Sequence, residues 1–354
     1  MAIGNKQVII SVCVLSIVLV VSLFPDAGNV ITTYSAEQAV TGTPPGVYLP
    51  VIVHTDPQQG TPVSPPDYPA AGAGWLEFLN FYRATAGLIP LANNSGWGEG
   101  GWLHSRYMVK NDYVDHSEDP ENAWYTVEGD AAAKSSNLVA TSNIYASDAQ
   151  AIELWMQAPF HALGIIDPEL HEVGFGSFRE EDGGLQMGAS LDVIRGLKAL
   201  PATTTYPIAW PGDGMNIPLT SHLTEYPDPL SSCPGYQRPS GLPIILQIGP
   251  GDKKPVVSSY SFKRGAQVLE ACLFDETSYQ NPDANSRDLG RAVLDARDAI
   301  VLIPRQPLEP GATYTASITV NGMKYTWSFS VLATASQTAL QDVPMLESQG
   351  IIIR

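Results

Sequence analysis

Either side of Asn321–Gly322 the sequence alternates with a period of two. Tyr314, Ala316, Ile318 and Val320 lie on one arm, and Met323, Tyr325, Trp327, Phe329 and Val331 on the other. Successive side chains of a strand point to opposite faces, so each arm has one apolar face, and Asn-Gly supplies the positive backbone dihedrals of a two-residue type I′ turn. An antiparallel hairpin with an apolar face needs a second sheet to cover it. Short strands at 244–248, 256–262, 267–274 and 299–303, set between Gly, Pro and Asp turns, supply that cover. Residues 241–333 are therefore expected to be all β, a small sandwich. Asp283-Ala284-Asn285-Ser286-Arg287 begins like a calcium loop, but Arg287 occupies a ligand position, and no calcium site is expected there.

Upstream the period changes. Trp75, Leu79 and Tyr82 share one face of a helix over 75–85, with Gly87 and Pro90 to stop it. A second helix is expected over Gly101 to Asn111, with Leu103 and Tyr107 on the core side and His104 and Met108 on an adjacent face. A third starts at Ser147, whose hydroxyl and Gln150 form a capping box, and Pro159 is expected to end it, leaving His161 in a loop. Alternating runs at 173–175 and 185–193 read as strands, so helices precede paired strands in an α+β sandwich. The stretch from Trp97 to Gly176 holds His104, His116 and His161 among aromatics and is the first place to look for a site.

Charge and the remaining segments bound what the chain meets. With 19 basic against 36 acidic residues, a net charge of -17, the surface repels phosphate backbones and anionic lipid, so no nucleic-acid partner is expected. Val8 to Phe24 is an uncharged apolar run of about 26 Å as a helix, at the short end for a bilayer. Lys6 before it and Asp26 after it predict export of the chain downstream, with residues 1–27 either a cleaved signal peptide or a retained anchor and the only contact with membrane. Cys13 inside this run reads as packing only. Residues 28–72 are a Pro-rich linker, in which YLPVIV at 48–53 is a short strand candidate, and 197–240 are a second Pro-rich stretch read as a connector. Cys233 and Cys272 are the plausible disulfide of an exported chain, with two unpaired thiols as the alternative. The tail, 334–354, is polar until Ile351 and is expected to be mobile.

Taken in order, LNFYRATAGL (79–88), HSRYM (104–108), DHS (115–117), WMQAPFH (155–161) and EVGFG (172–176) resemble the bacterial branch of the CAP superfamily, the group of cysteine-rich secretory proteins, antigen 5 and pathogenesis-related 1. The resemblance covers about 73–196 and implies an α-β-α sandwich with a cleft, with His104 and His161 at the two family histidine positions. In many members two glutamates complete a tetrad able to hold a divalent metal such as Zn or Mg. Here Ser135-Ser136-Asn137 stands where the family often has Gly-Glu-Asn, and Ala158 stands near the second glutamate position. Glu118, Glu128 and Glu153 lie nearby in sequence but at no motif position. Two imidazoles alone make a weak zinc site, and His116 is the candidate third ligand. The chain shows no HExxH helix, no GxSxG elbow and no free Cys in this domain. The first expectation is thus a non-catalytic cleft lined by His104, His161, His116, Met108 and Asn137, taking a small-molecule, lipid or envelope ligand. The alternatives are a metal-assisted extracellular hydrolase of peptidase type and a structural cell-surface protein. PLEPGATYTASI (307–318) is similar to the Pro-Gly-x-x-Tyr corner of bacterial immunoglobulin-like domains, which implies an immunoglobulin-like module over 241–333.

Overall fold

Helix α1 (Trp75–Ala84) forms where the apolar spacing predicts it and buries Phe78, Leu79, Phe81 and Tyr82. The computed structural model describes residues 64–181, 183–333 and 352–353. The apolar run at 8–24, Cys13, YLPVIV, most of the first Pro-rich segment and residues 334–351 lie outside them. After β1 (Ala92–Asn93), α2 (Ser95–Asn111) starts six residues before the expected Gly101, capped by Asn94. Its glycines let neighbouring backbone press close. A Cβ on Gly98 would lie 2.8 Å from the Phe175 carbonyl oxygen, and one on Gly100 2.8 Å from that of Glu128.

Helix α3 (Val127–Ala133) is capped by Thr126 and leads into β2 (Ser136–Thr141). Helix α4 (Asp148–Met156) opens on the expected Ser147–Gln150 capping box. Pro159, however, does not leave His161 in a loop. It opens a further helix, α5 (Pro159–Ile165), because a first-turn residue needs no backbone donor and proline's fixed dihedral suits that position. Strands β3 (Glu172–Val173), β4 (Phe175–Arg179) and β5 (Met187–Asp192) come next. Strand β2 lies beside β5, and β5 beside β4, all antiparallel; β3 pairs with β1. Alternation along β2 divides the packing: Leu138 and Ala140 meet Met108 and Leu185, whereas Val139 joins the core built on Leu79, Ile152 and Trp155. Helices therefore cover both faces of this sheet.

The second Pro-rich stretch is more than a connector. It contributes β6 (Ile208–Trp210), β7 (Asn216–Ile217) and β8 (Ser221–His222). Beyond it come β9 (Ser240–Gly241), which pairs with β8, and β10 (Ile244–Gln247). Next are β11 (Val257–Arg264), β12 (Gln267–Leu269) and β13 (Ala271–Asp275). The remaining strands of this part are β14 (Ala299–Pro304), β15 (Thr313–Val320) and β16 (Met323–Val331). They form a four-stranded sheet, β13-β14-β10-β6, and a five-stranded sheet, β12-β11-β15-β16-β7. Asn321 and Gly322 take positive φ, 50° and 77°, as the type I′ turn requires.

One element departs from the all-β expectation: α6 (Ala284–Asp295), between β13 and β14. Asp283 is its cap, accepting from the Ser286 amide at 2.7 Å. Cys233 and Cys272 form the expected disulfide, with Cα atoms 5.6 Å apart. Ile352–Ile353, in the tail expected to be mobile, forms β17 and pairs antiparallel with β2.

A single apolar core runs from α1 to β16. Trp210 of β6 packs edge-on to Tyr82 and donates its indole N–H to Thr85 Oγ1 at 3.2 Å. Gln247 of β10 donates to the Ile166 carbonyl.

Candidate functional site

Of the three histidines singled out in sequence, His104 and His161 lie near enough to His116 to act on its charge, and the three are held in different states. His104 lies on the buried face of α2, where its side chain has no exposure. Its Nε2 faces the Asp115 carbonyl oxygen at 3.0 Å, and a carbonyl only accepts, so Nε2 carries a proton. Its Nδ1 lies 2.9 Å from Glu118 Oε1, and Glu118 Oε2 accepts from the Thr126 amide at 2.9 Å. Every hydrogen-bonding atom of the pair has a partner. His104–Glu118 is a closed brace that ties α2 to the loop before α3, and neither imidazole nitrogen is left for a ligand.

His116 is exposed as a residue but its ring is partly enclosed, and its Nδ1 donates to the Ala133 carbonyl at the end of α3, 2.8 Å away. The proton on Nδ1 makes Nε2 the lone-pair nitrogen. Loss of water around the ring, then repulsion from His161 and His104, holds the His116 pKa below the usual imidazole value.

His161 sits on α5 and is only 6% exposed. The helix has Ala158 at its cap, with no side chain to receive the first amides. Glu225 takes that place from 64 positions further along the chain. Its Oε1 accepts the His161 backbone N–H at 2.9 Å and lies 2.6 Å from His161 Nδ1. Nε2 of His161 has no hydrogen-bond partner among the described residues. His222, three residues before Glu225, donates from Nδ1 to the Gln157 carbonyl at 2.9 Å. Burial is the first cause that holds its pKa low.

The remaining predicted site residues are structural. Met108 is fully buried against Val114, Leu138 and Leu185, in core rather than at a ligand surface. Asn137 donates to the His161 carbonyl at 3.1 Å and so links β2 to α5. Ser136, where the family glutamate was sought, leaves its buried Oγ without a partner. A zinc or magnesium ion held by His104 and His161 does not fit, because both His104 nitrogens are engaged. Among the described residues no three His, Cys, Asp or Glu side chains are grouped to hold a metal. A surface hollow of about 620 Å³, lined by Trp75, Phe78, Tyr145 and Arg179 among others, lies at the start of α1 and includes none of the histidines.

One comparison with known sequences covers the segment that holds α2, α5 and the loop between α2 and α3. Residues 76–187 match the model of the CAP family, described as the Cysteine-rich secretory protein family. The chain carries a CAP domain. No curated protein matches the chain. His104, His116 and His161 all fall inside the CAP match, and Glu118 does too. Glu225 and His222 fall outside it, in the Pro-rich stretch, where no spacing, motif or periodicity marked them. The one clue in sequence was that this stretch is too long for a casual loop.

Proposed function

We propose that this is an exported, non-catalytic binding protein whose CAP cleft holds a small or extended ligand at His116 and His161. One observation carries the reading: of the three gathered histidines, these two keep an Nε2 without a partner among the described residues, while His104 is sealed. A lone-pair ring nitrogen accepts hydrogen bonds, so the ligand presents donors such as hydroxyl, amide or ammonium groups. Export is supported by the CAP match and by the disulfide, a bond that persists in oxidising compartments. The β sheets after residue 197 are read as an immunoglobulin-like module fused to the CAP core. The hydroxyl of Tyr314 accepts from the Glu309 amide at 2.7 Å, the bond a tyrosine corner makes.

A second reading, an extracellular hydrolase, is favoured by the His161–Glu225 pair alone. A carboxylate behind an imidazole is the arrangement that prepares a general base. The two readings part in one experiment. Purified full-length protein is assayed on peptide and ester substrates, and in parallel its co-purifying small molecules are identified by native mass spectrometry, for wild type and for His116→Ala and His161→Ala. Binding predicts a bound species lost in both variants and no turnover. Hydrolysis abolished by His161→Ala would replace the first reading with the second.

A further inference from the structure

Two histidine–glutamate pairs among the described residues are built alike and finished differently. In the first, both carboxylate oxygens of Glu118 and both ring nitrogens of His104 are bonded. In the second, Glu225 spends one oxygen on two donors from one residue, the backbone N–H and Nδ1 of His161, while its other oxygen is buried without a partner. A buried carboxylate kept only for stability is expected to have both oxygens satisfied, since an unmet acceptor in the interior costs free energy.

The segment bearing Glu225 is also fixed with some care. His222 grips the Gln157 carbonyl at the end of α4, and Glu225 grips His161 on α5, so the same short stretch holds the α4–α5 junction from both sides. Strand β8, which contains His222, is in turn paired to β9. The carboxylate is thus carried on a backbone that cannot easily drift from the ring it contacts.

We infer that Glu225, supplied from outside the CAP match, is the positioning residue for His161: it holds the imidazole as the Nδ1–H tautomer and leaves Nε2 as the lone-pair nitrogen. The backbone N–H can only donate, so Oε1 is an acceptor, and the ring nitrogen beside it must bring a proton of its own. Glu225 is not a ligand contact in this assignment, and it acts through His161. The inference rests on the reading of His161 as a site residue, and it makes the CAP segment alone an incomplete site.

The test uses the full chain with ¹⁵N-labelled histidine, at a pH where the ring is neutral, with no ligand added. The His161 ring signals are assigned by their loss in His161→Gln. In wild type, Nδ1 is expected to carry the proton. Glu225→Ala is expected to move most of the population to the Nε2–H form, and Glu225→Gln, whose amide oxygen accepts the same two N–H groups, to restore Nδ1–H. A wild-type His161 protonated on Nε2 overturns the assignment even if no variant folds. So does a folded Glu225→Ala protein that keeps Nδ1–H. Because the tautomer is read without ligand, this result is separate from loss of binding in His116→Ala, which tests the site itself.

Discussion

Accessibility of the ring nitrogens separates histidines that look equivalent in sequence. Acylation by diethyl pyrocarbonate at neutral pH needs a neutral, reachable nitrogen. His116 should be modified rapidly and His104 only on unfolding, which peptide mass spectrometry resolves. Glu118→Ala should be severely destabilising, by about 3 kcal/mol or more, because it strands a buried imidazole and the Thr126 amide; denaturant titration measures this. Glu153 offers a pH test. It is 2% exposed in the core, held by the Tyr68 and Tyr82 hydroxyls, and burial raises its pKa from 4.5 to about 7. A carboxyl whose folded pKa lies above its unfolded value stabilises fully below the unfolded value, and that contribution is lost as pH rises through the folded one. Wild type should therefore lose roughly 3 kcal/mol from this group between pH 4.5 and pH 8, and Glu153→Gln should raise Tm at pH 8 while changing little at pH 5.

At the scale of elements, the features with a local chemical cause were legible. The Ser147 capping box, the α1 stripe and the Asn321–Gly322 hairpin are each decided by neighbours within a few residues, and all three stand where the sequence places them. What misled was local chemistry with two outcomes. Pro159 can end one helix or start the next. Gly98 lets α2 lie against β4. Gly98→Ala should accordingly push α2 off Phe175 and lower Tm by several degrees, whereas alanine at Gly96, whose nearest foreign atom is 3.4 Å away, should be tolerated. The partners of the histidines were the least legible. His104 reaches Glu118 across a loop and His161 reaches Glu225 across 64 positions, and no periodicity links such pairs.

Over the whole molecule, the buried contacts do not respect the boundary drawn from composition. The guanidinium of Arg83, fully buried on α1, reaches the carbonyls of Ile89, Ile165, Asp167 and Leu170, and Arg297 beyond α6 pairs with Asp167 at 2.8 Å. With Trp210 and Gln247 also seated on the CAP core, the described residues should unfold in one calorimetric transition. A fragment ending at residue 196 should expose that apolar face and aggregate, as light scattering would show. The reach of Glu225 also sets an order of assembly. A ribosome delivers His161 long before Glu225, so the nascent CAP segment exists for a time with its α5 amide and imidazole uncapped. The ring cannot acquire its fixed tautomer before Glu225 reaches it. The site is thus incomplete in any chain that stops short of residue 225.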